Sequence, residues 1–151
     1  MAKKSQMLKL TGKAYWAKLF ENNRDMNEDF HGPGGATTIQ LYCNQDTVEE
    51  YLAAGGRIKP KSDEEGVYLQ FKRKFIHETI PSFGGLPQVV VEDDEGNIQD
   101  WDGTLIGNGS EVEVAVTLYD SKMGKGTRLE GVRIINLVEM PEMDSAPALP
   151  F

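Results

Sequence analysis

In EVEVAVTLY (111–119), Val112, Val114, Val116 and Leu118 fall on alternate positions, with polar or small residues between them. A hydrophobic period of two fits a pleated strand with one buried face and does not fit a helix. The period recurs in ATTIQLYC (36–43), where Thr37, Ile39, Leu41 and Cys43 share one face and Thr38, Gln40 and Tyr42 the other. VYLQFKRKFI (67–76) alternates again, with Leu69, Phe71 and Phe75 on one side, interrupted by Arg73, and Tyr68, Gln70, Lys72 and Lys74 on the other. KAYWAKLF (13–20) sets Trp16, Lys18 and Phe20 against Lys13 and Tyr15, and leaves open which set faces outward. PQVVVED (87–93) reads as a short apolar strand and DDEGN (93–97) as a turn. The long final strand is GTRLEGVRIINLVEM (126–140), entered from a hairpin tip at MGKG (123–126), and Gly131 predicts a bulge or a bend in it.

One segment departs from this period. DTVEEYLAAGG (46–56) carries acids early and ends on Gly55-Gly56, which predicts a helix capped by Asp46. The expected fold is therefore all-β with one helix, a small barrel or sandwich. At 151 residues a single domain suffices to bury an ordinary core. In MPEMDSAPALPF (140–151) proline and small residues replace periodicity, which predicts a flexible tail over 141–151 behind a domain spanning 1–140.

Charge is distributed in blocks. The 24 acids outnumber the 16 bases, for a net charge of −8, which argues at first against a nucleic-acid partner. Yet residues 1–20 hold Lys3, Lys4, Lys9, Lys13 and Lys18 and no acid. A second basic block runs from Arg57 to Lys74, and a third holds Lys122, Lys125, Arg128 and Arg133. Acids concentrate in 21–51, 92–102 and the last thirteen residues. Such blocks can give one small domain a basic face and an acidic face.

Several chemistries find no support. No apolar run approaches the roughly 20 residues of a membrane span, and the Met-Ala-Lys-Lys start lacks a secretory apolar stretch. A lone Cys43 predicts core filler rather than a disulfide, and His31 and His77 cannot build a zinc site by themselves. GKGT (124–127) lacks the upstream glycine and following helix of a phosphate-binding loop. EDDEGNIQDWDG (92–103) lacks the ligand spacing of a calcium loop. His31 reads as a loop residue without a catalytic partner, so no enzyme, cofactor or metal is expected.

One constellation remains. Tyr68 beside Lys72 and Lys74 on the open side of a strand is what single-strand binding requires, since bases stack on rings while ammonium groups neutralise the phosphates between them. Trp16 and Lys18 offer a similar set.

The segment VVVEDDEGNIQDWDGTLIGNGSEVEVAVTLYDSKMGKGTRLEGVRIINLVEM (89–140) resembles the bacteriophage T7-type single-stranded DNA-binding proteins. The shared features are a VVV strand, an acidic Gly turn, the LIGNGS loop (105–110), a Lys-containing hairpin and a closing strand with LEGV and LVEM. FKRK (71–74) matches that family's strand of alternating Phe and Lys, while AYWAKLF and the Gly-Pro loop at 32–35 match more loosely. The resemblance implies an OB-fold, a five-stranded barrel with a helix whose open face holds single-stranded DNA. It implies a non-enzymatic protein of the host cytoplasm that covers template strands in phage replication, recombination and repair. It also implies a homodimer and a tail that touches the phage DNA polymerase and primase-helicase. Carried onto this chain, Trp16, Lys18, Tyr68, Lys72, Lys74, Tyr119, Lys122, Lys125 and Arg128 would bind DNA, with Lys3 and Lys4 in support. Phe151, Asp144 and Glu142 would bind the partner. Two departures stand out. The tail region carries three acids (Glu139, Glu142 and Asp144) in place of a long acidic run, and the hairpin has Ser121 and Met123 beside Lys122 where the family has aromatics. Alternatives are an RNA-binding OB module and a phage structural or adaptor β-barrel without nucleic-acid binding.

Overall fold

The computed structural model describes residues 5–77, 80–121 and 124–139. Eight strands form one sheet: β1 (Ser5–Lys18), β2 (Ala36–Tyr42), β3 (Lys61–Asp63), β4 (Gly66–Lys74), β5 (Gln88–Glu92), β6 (Ile98–Asp100), β7 (Ser110–Ser121) and β8 (Gly124–Asn136). Their spatial order is β3-β4-β2-β1-β7-β8-β5-β6, antiparallel except where β5 runs parallel to β8. The helices are α1 (Glu28–His31), a single turn, and α2 (Gln45–Ala53).

The expected class, mostly β with one full helix in an OB-like barrel, is what the chain adopts. The strand number differs from five. β3 and β6, each three residues long, are hairpin partners of β4 and β5, too short to show a period and held by the ladder of the longer strand. β1 also begins eight residues before the predicted start at Lys13 and ends at Lys18. Its first part pairs with β7 (Ser5 to Ala14) and its last part with β2, so one long strand belongs to both halves of the sheet.

Alternation predicts the core correctly. Val112, Val114, Val116 and Leu118 are buried, as are Ile39, Leu41, Leu69 and Phe71 from the strands opposite. α2 adds Tyr51, whose ring meets Phe71 edge-on at 5.7 Å and whose hydroxyl shares a 2.7 Å hydrogen bond with Thr127 Oγ1. The cap of α2 is Asn44, not Asp46: Asn44 Oδ1 accepts the Thr47 N–H at 2.8 Å. Asn44 keeps extended backbone while Asp46 already lies inside the first turn, so only Asn44 can reach back to an unpaired N–H.

Among the described residues no ladder closes the sheet into a barrel; a side chain does it. Arg73, the residue that interrupts the apolar face of β4, reaches across to β8. It donates to Leu129 O at 3.2 Å, to Glu130 Oε1 at 2.6 Å, and to Ser82 O and Gly84 O of the segment between. Glu130 is the extra residue of a bulge, because Ala115 pairs with Gly131 and Val116 with Leu129. The predicted bulge is therefore present, and a side chain at Gly131 would put its Cβ 2.8 Å from Gln88 O of β5. Burial alone would raise the Glu130 carboxyl, but the hydrogen bonds and charges of Arg128 and Arg73 outweigh it and hold it below its ordinary value.

Arg73→Ala should cost about 1–3 kcal/mol in denaturant unfolding, because it leaves several carbonyls without their donor and Glu130 with Arg128 alone. A carboxylate held low stabilises the fold above its unfolded pKa of 4.5, and that contribution is lost as pH falls through the native titration. Glu130→Gln should therefore flatten the acid limb of stability against pH. An unchanged acid limb would remove this seam as the closing contact.

Candidate nucleic-acid interface

Directly paired residues in neighbouring strands share a face, so the register alone assembles a surface across β1, β2, β4 and β3. One row runs Lys13, Tyr42, Tyr68, Lys61. The next runs Tyr15, Gln40, Gln70, and the third Lys18, Thr38, Lys72. Lys74 follows opposite Ala36. The expected split that put Lys18 with Trp16 and opposed it to Lys13 and Tyr15 is corrected here. A register shift between Tyr15 and Lys18 inserts a residue into β1 and returns Lys18 to the face of Lys13 and Tyr15. Phe20 lies past the strand, half-buried against the core.

Three tyrosine rings line up on this face. Tyr15 and Tyr42 have centroids 4.6 Å apart, and Tyr42 and Tyr68 are 4.8 Å apart. Tyr42 is nearly buried between two half-exposed rings. The end of β3 and the turn after it fix two of the hydroxyls: Tyr42 donates to Asp63 Oδ2 at 2.5 Å and Tyr15 to Glu65 Oε2 at 3.4 Å. Burial first, then the bond to Asp63 and its charge, push the Tyr42 phenol far above its ordinary value. The same bond, helped by the Glu65 and Gly66 N–H groups, holds Asp63 low. On the third row burial, and then the charge of Lys74, lower the Lys72 ammonium. A site that crowds two cations is one whose energy falls when an anion arrives.

A second cluster sits at the end of β4. The Arg128 guanidinium lies 4.0 Å from the Phe83 ring centroid and 5.2 Å from that of Tyr119, while its Nε bonds Glu130 at 2.7 Å. His77 meets Phe83 edge-on at 5.5 Å. With Lys72 and Lys74 these residues enclose a cleft of about 160 Å³. Lys72, Lys74, Tyr119 and Arg128, widely spaced in sequence, are thus neighbours. Phe83, His77, Tyr42, Tyr15, Lys13 and Lys61 are aromatic and basic residues of this surface absent from the sequence-predicted set. Tyr42 and Tyr15 were legible from alternation, but Phe83 stands in a short turn (Pro81–Phe83) with no period to mark it.

Trp16 is 62% exposed at the inserted position of β1, with its N–H held by Asn108 Oδ1 at 2.8 Å. Lys3, Lys4, Lys122, Glu142, Asp144 and Phe151 lie outside the described residues, as does the side chain of Lys125. Cys43 packs half-buried against the core, where burial raises its thiol. His31 does have a partner: it is buried at the end of α1 with Nε2 3.0 Å from Asp25 Oδ2, which pulls the Asp25 carboxyl down. That contact ties the 25–36 loop to β2 beside the Asp25–Ala36 bridge. Among the described residues, no group of His, Cys, Asp and Glu is placed to hold a metal ion, and no helix is long and apolar enough to cross a membrane.

No family model and no curated protein matches this chain. A solved structure that does match is that of gp2.5, a single-stranded DNA-binding protein encoded by bacteriophage T7. The match covers 95% of this chain and 92% of that one, at 21% identity and a TM-score of 0.49.

In a spectrophotometric alkaline titration, Tyr42 should stay un-ionised well past the ordinary tyrosine range. Asp63→Asn removes the charge beside it and should bring part of that delayed absorbance change to lower pH. A titration identical in both proteins would remove the Tyr42–Asp63 bond from the account of this face.

Proposed function

We propose that this chain binds single-stranded DNA without marked sequence preference, along the tyrosine and lysine rows of β1, β2, β4 and β3. The three adjoining tyrosine rings of the first two rows, flanked by Lys13, Lys18, Lys61, Lys72 and Lys74, carry the reading. Every base has a π-face, so aromatic stacking is tolerant of sequence, and ammonium groups between the rings meet the backbone. The negative net charge does not oppose this. The acidic β5–β6 hairpin stands at the other end of the strand order, and on the binding side Asp63 and Glu65 are engaged by tyrosine hydroxyls. The cluster of Lys72, Lys74, Tyr119, Phe83 and Arg128 extends the track, with Trp16 beside Lys18 at its other side and Lys3, Lys4, Lys122 and Lys125 as further cations.

The test is titration with oligo-dT at several salt concentrations, beside the same series with oligo-U. Log affinity should fall linearly with log salt, with a slope of about −0.7 per phosphate contacted. Tyr68→Ala should weaken binding by about 1–3 kcal/mol per folded molecule, and Tyr68→Phe, which keeps the ring, should not. A salt-independent response, or an alanine variant that loses stability and keeps affinity, would defeat the reading. Preference for oligo-U would reassign the ligand to RNA.

The cellular role that fits is cover for template strands during phage replication and recombination. The sequence resemblance supports a tail in which Phe151, flanked by Glu142 and Asp144, docks on the phage polymerase and primase-helicase. Deleting Phe151 should leave oligo-dT affinity unchanged and abolish polymerase capture. Capture at full strength would end the tail-docking proposal.

A further inference from the structure

Trp16 has φ +52°, and it is the one non-glycine residue with positive φ among those described. For a bulky side chain this left-handed backbone is strained, and such strain persists only where its surroundings enforce it. The surroundings are visible. The register shift after Tyr15 forces the kink, Asn108 Oδ1 takes the Trp16 N–H at 2.8 Å, and Gly109 N–H bonds Ala14 O at 2.8 Å. The LIGNGS loop thus clamps the end of β1.

Packing does not explain the strain. A strained residue that served the core would recover the energy by burying its ring, yet the Trp16 side chain is 62% exposed. Instead it walls a cleft of about 600 Å³, within the range of small-molecule sites. Leu105, Ile106 and Val138 supply apolar walls, Asn23 and Asn108 supply amides, and Lys18 stands at its edge. Flat apolar walls with amide edges suit a planar heteroaromatic ring. Glu139, also in the lining, opposes a phosphate inside the cleft, so the ring enters and the charge stays outside. Lys18 pairs with Thr38, opposite Lys72, so a strand following the rows passes the mouth of the cleft.

We propose that the cleft formed by Trp16, Leu105, Ile106, Val138, Asn23 and Asn108 receives one nucleobase turned out of the stacked strand, with its phosphate held outside by Lys18. This deepens the proposed function and rests on it. It adds a discrete base-binding pocket to a face that otherwise only stacks.

The test uses the full chain with Trp101→Phe, leaving Trp16 as the sole tryptophan of the two in the sequence. Total binding of short oligo-dT, and of an abasic oligomer of equal length, is followed by anisotropy of a label on the DNA. Trp16 emission is recorded in the same samples. The expected result is strong quenching by oligo-dT and little by the abasic strand at equal saturation. Binding without a change in Trp16 emission, or equal quenching by the abasic strand, overturns the pocket and leaves the proposed function standing. No binding by anisotropy defeats the proposed function instead. A second copy, or the chain's own residues after 139, in the cleft would make emission depend on protein concentration or leave it unmoved by oligo-dT; either overturns the proposal. Trp16→Gly supplies a second readout. Glycine accepts φ +52° without strain, so thermal stability should hold or rise while affinity falls about 5- to 150-fold. Lost stability with affinity intact would show Trp16 to be structural and overturn the pocket.

Discussion

The contact of Arg73 with Glu130 and the carbonyls around it holds the two halves of this molecule together. An open sheet of eight strands presents two edges and a half-covered core. β4 and β8 approach one another with no ladder between them, and a guanidinium fills the gap. Its planar fork suits the task, because one cation can serve a carboxylate and carbonyls from separate segments at once. The bulge at Glu130 supplies the carboxylate, and Gly131 permits β5 to come close beside it. Arg128 shares Glu130 and then turns its guanidinium over Phe83 and Tyr119. Closure of the barrel and construction of the basic cluster are therefore one network.

The second organising device is the irregularity in β1. A straight strand would have placed Lys18 away from Lys13 and Tyr15 and Trp16 on an ordinary pleat. Inserting one residue does two things at once. It restores Lys18 to the lysine and tyrosine rows, and it forces Trp16 into a left-handed conformation that aims the chain toward the LIGNGS loop. Bulges concentrate near binding surfaces because they re-aim single side chains without disturbing the rest of a ladder.

Electrostatics on this scale is local. A net charge of −8 describes the far field, while the register gathers Lys13, Lys18, Lys61 and Lys72 onto one face, within reach of one another on the scale of a Debye length of about 8–10 Å. Asp63 and Glu65 do not cancel them outright, since their oxygens accept from Tyr42 and Tyr15 and so orient the rings. Asp63 and Glu65 thereby organise the tyrosines among the lysines.

Outside β2, which is buried on both faces, alternation alone determined the apolar core positions of β4 and β7 and which side of β4 carries Tyr68, Lys72 and Lys74, because a pleat of period two leaves one face for each parity. It also located α2, although the competition between Asn44 and Asp46 for the cap depended on backbone geometry that composition does not express. Strands of three residues such as β3 and β6 were illegible, because they are held by pairing with a longer neighbour and are too short to show a period of their own. Arg73 looked like an error in an apolar face and is the closing contact, since its partners Leu129 and Glu130 lie more than fifty residues away. The place of Phe83 and the side on which Lys18 falls were settled only when strands paired. Register is a long-range property: one inserted residue flips every side chain beyond it, and only the pairing partner shows where the insertion lies.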